Sequence, residues 1–542
     1  MSQPPRPIRV ADVVAERLHA AGCRYAFGMP GGEVLTMVDA LEKAGIRFIL
    51  AKHENAAGFM AEGVHHRTGA PGILVATVGP GALNGVNVVA NALQDRVPLI
   101  VLTGAIDADE AHTYTHQVLD QGRVFRPITK ASFRVEAGAA QVIADKAVGI
   151  ATEGRPGPVH LDIPIGTADV IVSQHGVPLR PAAIPVAPAP GPALDKARGW
   201  LRAARRPLIV AGVDAMNEGA GDALSAFAER FGIPVITTYK AKGLIPEDQR
   251  LALGGAGLSP LADRHLLPLV ARADLIIGVG YDPIEMRTGW RDAWDPARVN
   301  VIDITAEPNH HYMHQADLNI VAGCAATLSA LAEGVAPAST WPEGEPSATK
   351  DALASAFPRT DDWGPAAVID ECRRTLPRET LATADSGAHR ILLSQMWPCY
   401  EPRGLMQSSA LCTMGCAVPL AMGAGLAAPD RVVVSFSGDA GFLMVTGELA
   451  TARELGLRTI FVVFVDASLA LIEMKQRQRQ LPNGGVDFAH HDFAAIGRAF
   501  GGAGHRVRSR TELRAALSAA LTADCFTVIA AEIERGAYDG RI

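Results

Sequence analysis

Short apolar runs alternate with longer amphipathic segments along the whole chain. RFILA, GILVATVG and PLIVLTG lie in the first third, RPLIVAG, DLIIGVG and VNVID in the middle, and RVVVSFSGD, TIFVVFVD and FTVIAAEI in the last. Continuous apolar runs of this length suit strands buried on both faces, as in parallel sheets covered by helices. The segments between them, such as DALSAFAERFG, fit helices with a glycine near the C-terminal stop. Two stretches rich in proline and small residues, Pro181–Pro192 and Ala336 to about Ser347, predict extended linkers. The pattern therefore predicts three α/β domains, each a doubly wound parallel sheet, over residues 1–180, 193–335 and 350–542.

Composition narrows the function classes. A chain of 542 residues is too long for one core. A net charge of −7 without runs of one sign argues against a nucleic-acid partner. The N-terminal MSQPPRPIRV lacks the apolar core of a secretory signal, and no run approaches the ~20 apolar residues of a membrane helix. Seven scattered cysteines fit a reduced compartment. These features predict a cytoplasmic protein with no membrane partner.

In doubly wound sheets, ligands sit beyond the carboxyl ends of strands. Polar or glycine-rich residues follow several of the apolar runs: His53-Glu54, Gly79-Pro80-Gly81, Gly438-Asp439 and Asp466. Asp439 and Asp466 are 27 residues apart, one strand–helix–strand unit. On adjacent parallel strands their carboxylates share one edge and make a hard-oxygen site suited to Mg2+ and phosphate. The alternative is that each caps the helix after it. Glu54 opens a predicted helix, where an acid also answers the helix dipole. His310-His311-x-x-His314 reads as a polar loop, His65-His66 and His490-His491 as surface pairs, and Lys475–Arg479 as a solvated helix face.

Context favours the ligand readings. Gly438-Asp439-Ala440-Gly441, followed by Asp466-Ala467-Ser468, resembles the signature of thiamine-diphosphate-dependent enzymes of the acetolactate synthase type. The resemblance implies that Asp439, Asp466 and the Ser468 carbonyl bind Mg2+, with amides of Ala440 and Gly441 on the diphosphate. Gly28-Met29-Pro30-Gly31, LAKHENAAGFMAEG and Gly79-Pro80-Gly81-Ala82-Leu83-Asn84 resemble the family's pyrimidine-binding domain. Pro30, Gly79 and Asn84 then belong to the cofactor site. The glutamate matching Glu54 hydrogen-bonds the aminopyrimidine ring and promotes the tautomer that removes the thiazolium C2 proton. Asp385-Ser386-Gly387-Ala388-His389 resembles the opening of the pyrophosphate domain, which places His389 on the diphosphate. In ALCTMGCAVP, Met414 matches the residue wedged between the cofactor rings, and Cys412 offers its backbone carbonyl to the amino group.

Two segments resemble the catabolic, flavin-free branch. In YTHQVLDQGRVFRPITK, Gln117 is the candidate substrate contact, and GVGYDPIEMRTG stands where flavin enzymes carry Arg-Phe-Asp-Asp-Arg. No FAD is expected. Glu33 replaces that branch's lysine, and Cys412 its glutamine. Ile472, with Leu471 in the run LALI, stands where simple decarboxylases carry a proton-donating glutamate. Glu473 is one position off, about 100° around a helix. Glu33 and His116 are alternative proton donors. The resemblance implies decarboxylation of a small 2-oxo acid, pyruvate first, and carboligation to a carbonyl acceptor. Another thiamine diphosphate lyase, or a non-catalytic homologue, is the alternative. It also implies a homodimer or homotetramer, with each site built from the first domain of one subunit and the third of its partner.

Overall fold

The apolar runs RFILA to FTVIAAEI all form strands of parallel sheets, most of them buried on both faces, while RFILA is an edge strand with Arg47 and Leu50 exposed. The structure, a computed structural model, describes residues 6–174, 178–181 and 183–542. Residue 182, in the first expected linker, lies outside the described residues, as do residues 1–5. By packing, the chain forms two units. One runs up to Ala183 and takes in Val418–Asp430 and Met444–Thr459. The other comprises Ile184–Ala417, Arg431–Leu443 and Ile460–Ile542.

The first unit holds a six-stranded parallel sheet in the order Arg47–Leu50, Tyr25–Met29, Gly72–Ala76, Leu99–Ala105, Val159–Pro164, Ala131–Arg134. Numbered along the chain, that order is 2-1-3-4-6-5. Gly28 pairs with both Leu50 and Val75, so the loops after three strands leave from one edge. Helix Glu54–Thr68 starts where His53 Nδ1 accepts from the Asn55 amide at 3.1 Å, and stops at Gly69, whose φ is +75°. It is buried on nearly every face. Two glycines let it approach its neighbours: a Cβ on Gly58 would lie 2.4 Å from Val88, and one on Gly63 would lie 2.3 Å from the Leu420 carbonyl.

That burial corrects one expectation. His65 and His66 are not a surface pair: both are buried, His65 3.0 Å from the Ala70 carbonyl and His66 3.1 Å from Glu62. A helix covered on both sides has no solvent face to give them.

The second unit holds two more six-stranded parallel sheets. The central one runs Ala252–Ala256, Val235–Thr238, Pro207–Ala211, Leu275–Val279, Asn300–Thr305, Leu318–Val321, the order 3-2-1-4-5-6. The last runs Leu405–Gln407, Leu381–Ala384, Val433–Gly438, Ile460–Val465, Thr527–Glu532, Ala503–Val507 and repeats 2-1-3-4-6-5. Helix Gly221–Phe231 ends at Gly232 with φ +63°, the stop its sequence predicts. The stretch Ala336–Ser347 is not wholly extended: helix Glu345–Ala356 begins within it. Proline is tolerated in a first helical turn, where no amide partner is needed, so Pro346 does not prevent the helix. Among the described residues, no helix is long and apolar enough to cross a membrane.

Gly63→Ala should lower stability by about 1–3 kcal/mol, because the new methyl meets backbone that cannot move aside cheaply. Chemical denaturation followed by circular dichroism should show a lower midpoint. An unchanged midpoint would show that the helices can separate freely.

Candidate functional site

In the last sheet, the strand order reverses between Leu381–Ala384 and Val433–Gly438, and such switch points open crevices at the carboxyl edge. A cavity of about 510 Å³ opens there. Gly438 pairs with Phe464, so Asp439 and Asp466 leave neighbouring strands side by side. Both carboxyls are buried. Asp439 Oδ2 accepts from the amides of Ala467 at 2.7 Å and Asp466 at 3.2 Å, while Oδ1 accepts from Ala440 at 2.8 Å. The helix-cap alternative fails for Asp466: helix Ala470–Gln478 has no side-chain cap, and Asp466 Oδ1 accepts from Ser468 at 3.3 Å.

Positive charge compensates the pair only in part, Arg535 acting on Asp466 and His490 on Asp439. Burial, followed by the charge of Asp439, pushes Asp466 up to about 7. Burial also raises Asp439. Two buried carboxyls on one edge call for a cation.

Eleven residues singled out from the sequence line this cavity: His389, Cys412, Met414, Gly438, Asp439, Ala440, Gly441, Asp466, Ser468, Leu471 and Ile472. Ile472 is 44% exposed, so it belongs to the cavity wall and not to a core. Glu473 is turned away: it pairs with Arg477 at 2.7 Å and lines a different cavity. Lys475 also lines the main cavity, which makes part of the basic run a rim. His490 and His491 are exposed, as expected. His314 stacks on Trp294, and no cluster of three or more metal-type side chains occurs among the described residues.

The first unit gathers the other candidates along its own carboxyl edge. Buried Glu54 accepts from Asn84 Nδ2 at 3.0 Å through Oε2. Gly79, at φ +72°, donates its amide to Gln121 at 2.9 Å. A Cβ there would lie 3.2 Å from the Gln117 carbonyl. Gln117 itself is left-handed, with φ +58°. Glu33 accepts from the Thr77 hydroxyl. Pro30 and His116 are exposed, the latter edge-on to Tyr114.

Sequence reasoning passed over several residues that shape these edges. Buried Asp385, pushed up to about 6 chiefly by burial, accepts from the amides of Gly415 at 3.0 Å and Cys416 at 3.1 Å. It thereby fixes the loop carrying Met414. Arg390 and Tyr538 line the cavity, and Gln121 joins Gly79 to Asp162 at 2.7 Å. Arg390 directly follows the Asp385–His389 motif and Gln121 lies within the Gln117 segment, so both were within reach. Tyr538 lies beyond the last recognisable segment.

Residues 8–124 match the thiamine pyrophosphate enzyme N-terminal TPP binding domain, 194–331 the central domain, and 385–531 the C-terminal TPP binding domain. The chain belongs to the thiamine pyrophosphate enzyme family. It is similar to the acetolactate synthase of Bacillus subtilis (strain 168), at 30% identity over 95% of this chain and 91% of that protein. A catabolic acetolactate synthase of Raoultella terrigena is 28% identical over 97% of this chain and 95% of its own length. The acetolactate synthase isozyme 1 large subunit of Escherichia coli (strain K12) is 31% identical over 86% and 83%. The chain is thus a thiamine-pyrophosphate-dependent enzyme of the acetolactate synthase type.

The side chains present fit a diphosphate ligand. His389 Nε2 and Ser386 Oγ are buried, line the cavity and have no hydrogen-bond partner among the described residues. Leaving such atoms unsatisfied costs about 1–3 kcal/mol each, which a ligand oxygen can offset. Burial, then the neighbouring Arg390 charge, pushes His389 down to about 3, so its ring is neutral at physiological pH.

Gly441 is packed so closely that a Cβ would lie 2.0 Å from Asp385 Oδ2. Gly441→Ala should therefore weaken thiamine diphosphate binding by at least about tenfold, since the new methyl displaces the group that orders the Met414 loop. Calorimetric titration checks this, and an affinity within twofold of wild type would contradict it.

Proposed function

We propose that this enzyme decarboxylates a small 2-oxo acid, with pyruvate the first candidate, and joins the remaining fragment to a second carbonyl compound. It does so with thiamine diphosphate anchored through Mg2+. The observation that carries the reading is the buried Asp439–Asp466 pair facing a cavity that also holds the unsatisfied His389 and Ser386. The acetolactate synthase relatives supply the reaction class.

When bound, thiamine diphosphate supplies the nucleophilic carbon and the electron sink for loss of carbon dioxide. Asp439, Asp466 and the Ser468 carbonyl hold the metal. His389 and the amides of Ala440 and Gly441 hold the diphosphate, Met414 supports the rings, and the Cys412 carbonyl takes the amino group. Pro30, Gly79 and Asn84 border the ring end of the site. Asn84 fixes one oxygen of Glu54 and leaves the other to exchange a proton with a ring nitrogen. Gln117, His116 and Glu33 face substrate. The central domain lacks the flavin-branch segment, so no FAD is needed. Because Glu54 and Asp439 serve one cofactor from different subunits in this reading, the enzyme is a homodimer or a dimer of dimers.

Asp439→Ala should abolish cofactor retention, because losing a charged ligand leaves the diphosphate uncompensated. Unchanged calorimetric affinity would remove the metal assignment. The pH dependence has a definite sign. A raised carboxyl pKa favours the folded, cation-free chain at low pH, and that contribution is lost as pH rises through about 7. Cation binding must displace the same proton. Mg2+ affinity should therefore fall as pH is lowered through about 7.

The fate of the fragment left by carbon dioxide follows from the wall. Ile472 and Leu471 offer no proton at this part of the wall, so they would leave the fragment free to meet a second carbonyl. With pyruvate, Mg2+ and thiamine diphosphate, the carboligation product should exceed acetaldehyde. Ile472→Glu should shift the partition toward acetaldehyde. Acetaldehyde as the main wild-type product at saturating acceptor would mark the enzyme as a simple decarboxylase.

A further inference from the structure

The turn Asp466–Ser468 separates two cavities. Asp466, Ser468, Ala470 and Tyr538 line both the cofactor cavity and a second one of about 270 Å³. The turn is also strained: Ala467 adopts φ +55°, a left-handed conformation that a residue with a Cβ avoids. Something must hold it there. On the cofactor side, Asp439 Oδ2 takes the amides of Asp466 and Ala467. On the other side, the segment 486–488 lies antiparallel to the turn, with Leu469 donating to the Val486 carbonyl at 2.8 Å and Phe488 to the Ala467 carbonyl at 3.1 Å.

Two charged side chains complete this clasp. Ser468 Oγ donates to Asp487 Oδ1 at 2.8 Å. Asp487 Oδ2 accepts from Arg535 Nη1 at 3.0 Å and from Asn483 Nδ2 at 2.9 Å. Arg535 Nη2 then reaches back to the Ala467 carbonyl at 3.2 Å. One guanidinium therefore bridges the strained residue and the carboxylate that holds its neighbour. Neither side chain lines the cofactor cavity.

We propose that Asp487 and Arg535 are positioning residues that lock the Asp466–Ser468 turn in its metal-binding conformation from the side opposite the cofactor. The inference rests on the magnesium reading above. If the clasp sets the turn, losing it lowers metal affinity and spares turnover once metal is saturating, because no reacting group has moved. Outer partners of metal ligands commonly change affinity by about 10–100-fold.

The test is calorimetric titration of Mg2+ into full-length enzyme with thiamine diphosphate in excess, alongside kcat measured against Mg2+ concentration. Asp487→Ala and Arg535→Ala should each weaken Mg2+ binding by about tenfold or more, with kcat at saturating Mg2+ within about threefold of wild type. Asp487→Asn keeps an oxygen for the Ser468 hydroxyl but sets its NH2 against the Arg535 and Asn483 donors, so it should recover only part of the loss. Arg535→Lys should recover part, and both conservative variants serve if an alanine variant does not fold. Wild-type Mg2+ affinity in these variants, with only a lower melting temperature, would reduce the clasp to a structural support and overturn the proposal. A wild-type enzyme that binds thiamine diphosphate without needing Mg2+ overturns the magnesium reading itself, and this inference with it.

Discussion

Everything at the candidate cofactor site depends on two carboxyl groups that the fold forces together. Parallel pairing of Val433–Gly438 with Ile460–Val465 fixes where each strand ends, and the next residue in both cases is an aspartate. Both side chains are buried at that edge, where they line the cavity. Backbone amides satisfy Asp439, yet the desolvation and mutual repulsion of the pair remain. The neighbouring elements follow from this constraint. Gly441 has no side chain because Asp385 occupies the space, Asp385 orders the loop carrying Met414, and Ala467 accepts a left-handed backbone so that the turn can close over the pair.

The first and last sheets share one strand order, 2-1-3-4-6-5, and the central sheet has another, 3-2-1-4-5-6. The chemistry follows the shared order. In both sheets the candidate residues leave the carboxyl ends of strands around the switch between strands 1 and 3. A crevice at that point is a geometric consequence of helices crossing to opposite faces. Each of these sheets is then furnished differently, with buried acids and a neutral histidine in one and a glutamate–asparagine pair in the other. Among the described residues, loops of the central domain contribute Leu258 and Arg287 to the wall of the candidate cofactor cavity.

Legibility tracked physical distinctness. Interior strands were readable because burial on both faces demands an unbroken apolar run, as in TIFVVFVD. Edge strands were less so: Arg47–Leu50 showed through RFILA, but Ala503–Val507 carries His505 and Arg506, and Leu405–Gln407 is only three residues long. The Asp439–Asp466 geometry was readable because one strand–helix–strand spacing fixes it. The burial of His65 and His66 was hidden because packing by distant segments, not local sequence, covers that helix. The Asp487–Arg535 clasp was equally hidden, since 48 residues separate its two members and neither belongs to a motif.

The departures from the family pattern weigh differently once placed. The role proposed for Cys412 uses its backbone carbonyl, at a residue whose φ is +50°. Cysteine for glutamine therefore leaves that contact intact and changes only the wall beside it, where Arg390 donates to Cys412 Sγ at 3.0 Å and to the Ser408 carbonyl at 2.8 Å. Ile472 is a different case, because its side chain is what the cavity meets. One helical position further on, Glu473 is committed to Arg477 and faces another cavity, so the nearest acid in sequence is withheld by about 100° of helix rotation. A shift of one residue in the register of this helix would replace an apolar wall by a proton donor. On this reading, the choice between making a carbon–carbon bond and releasing an aldehyde rests on helix phase more than on composition.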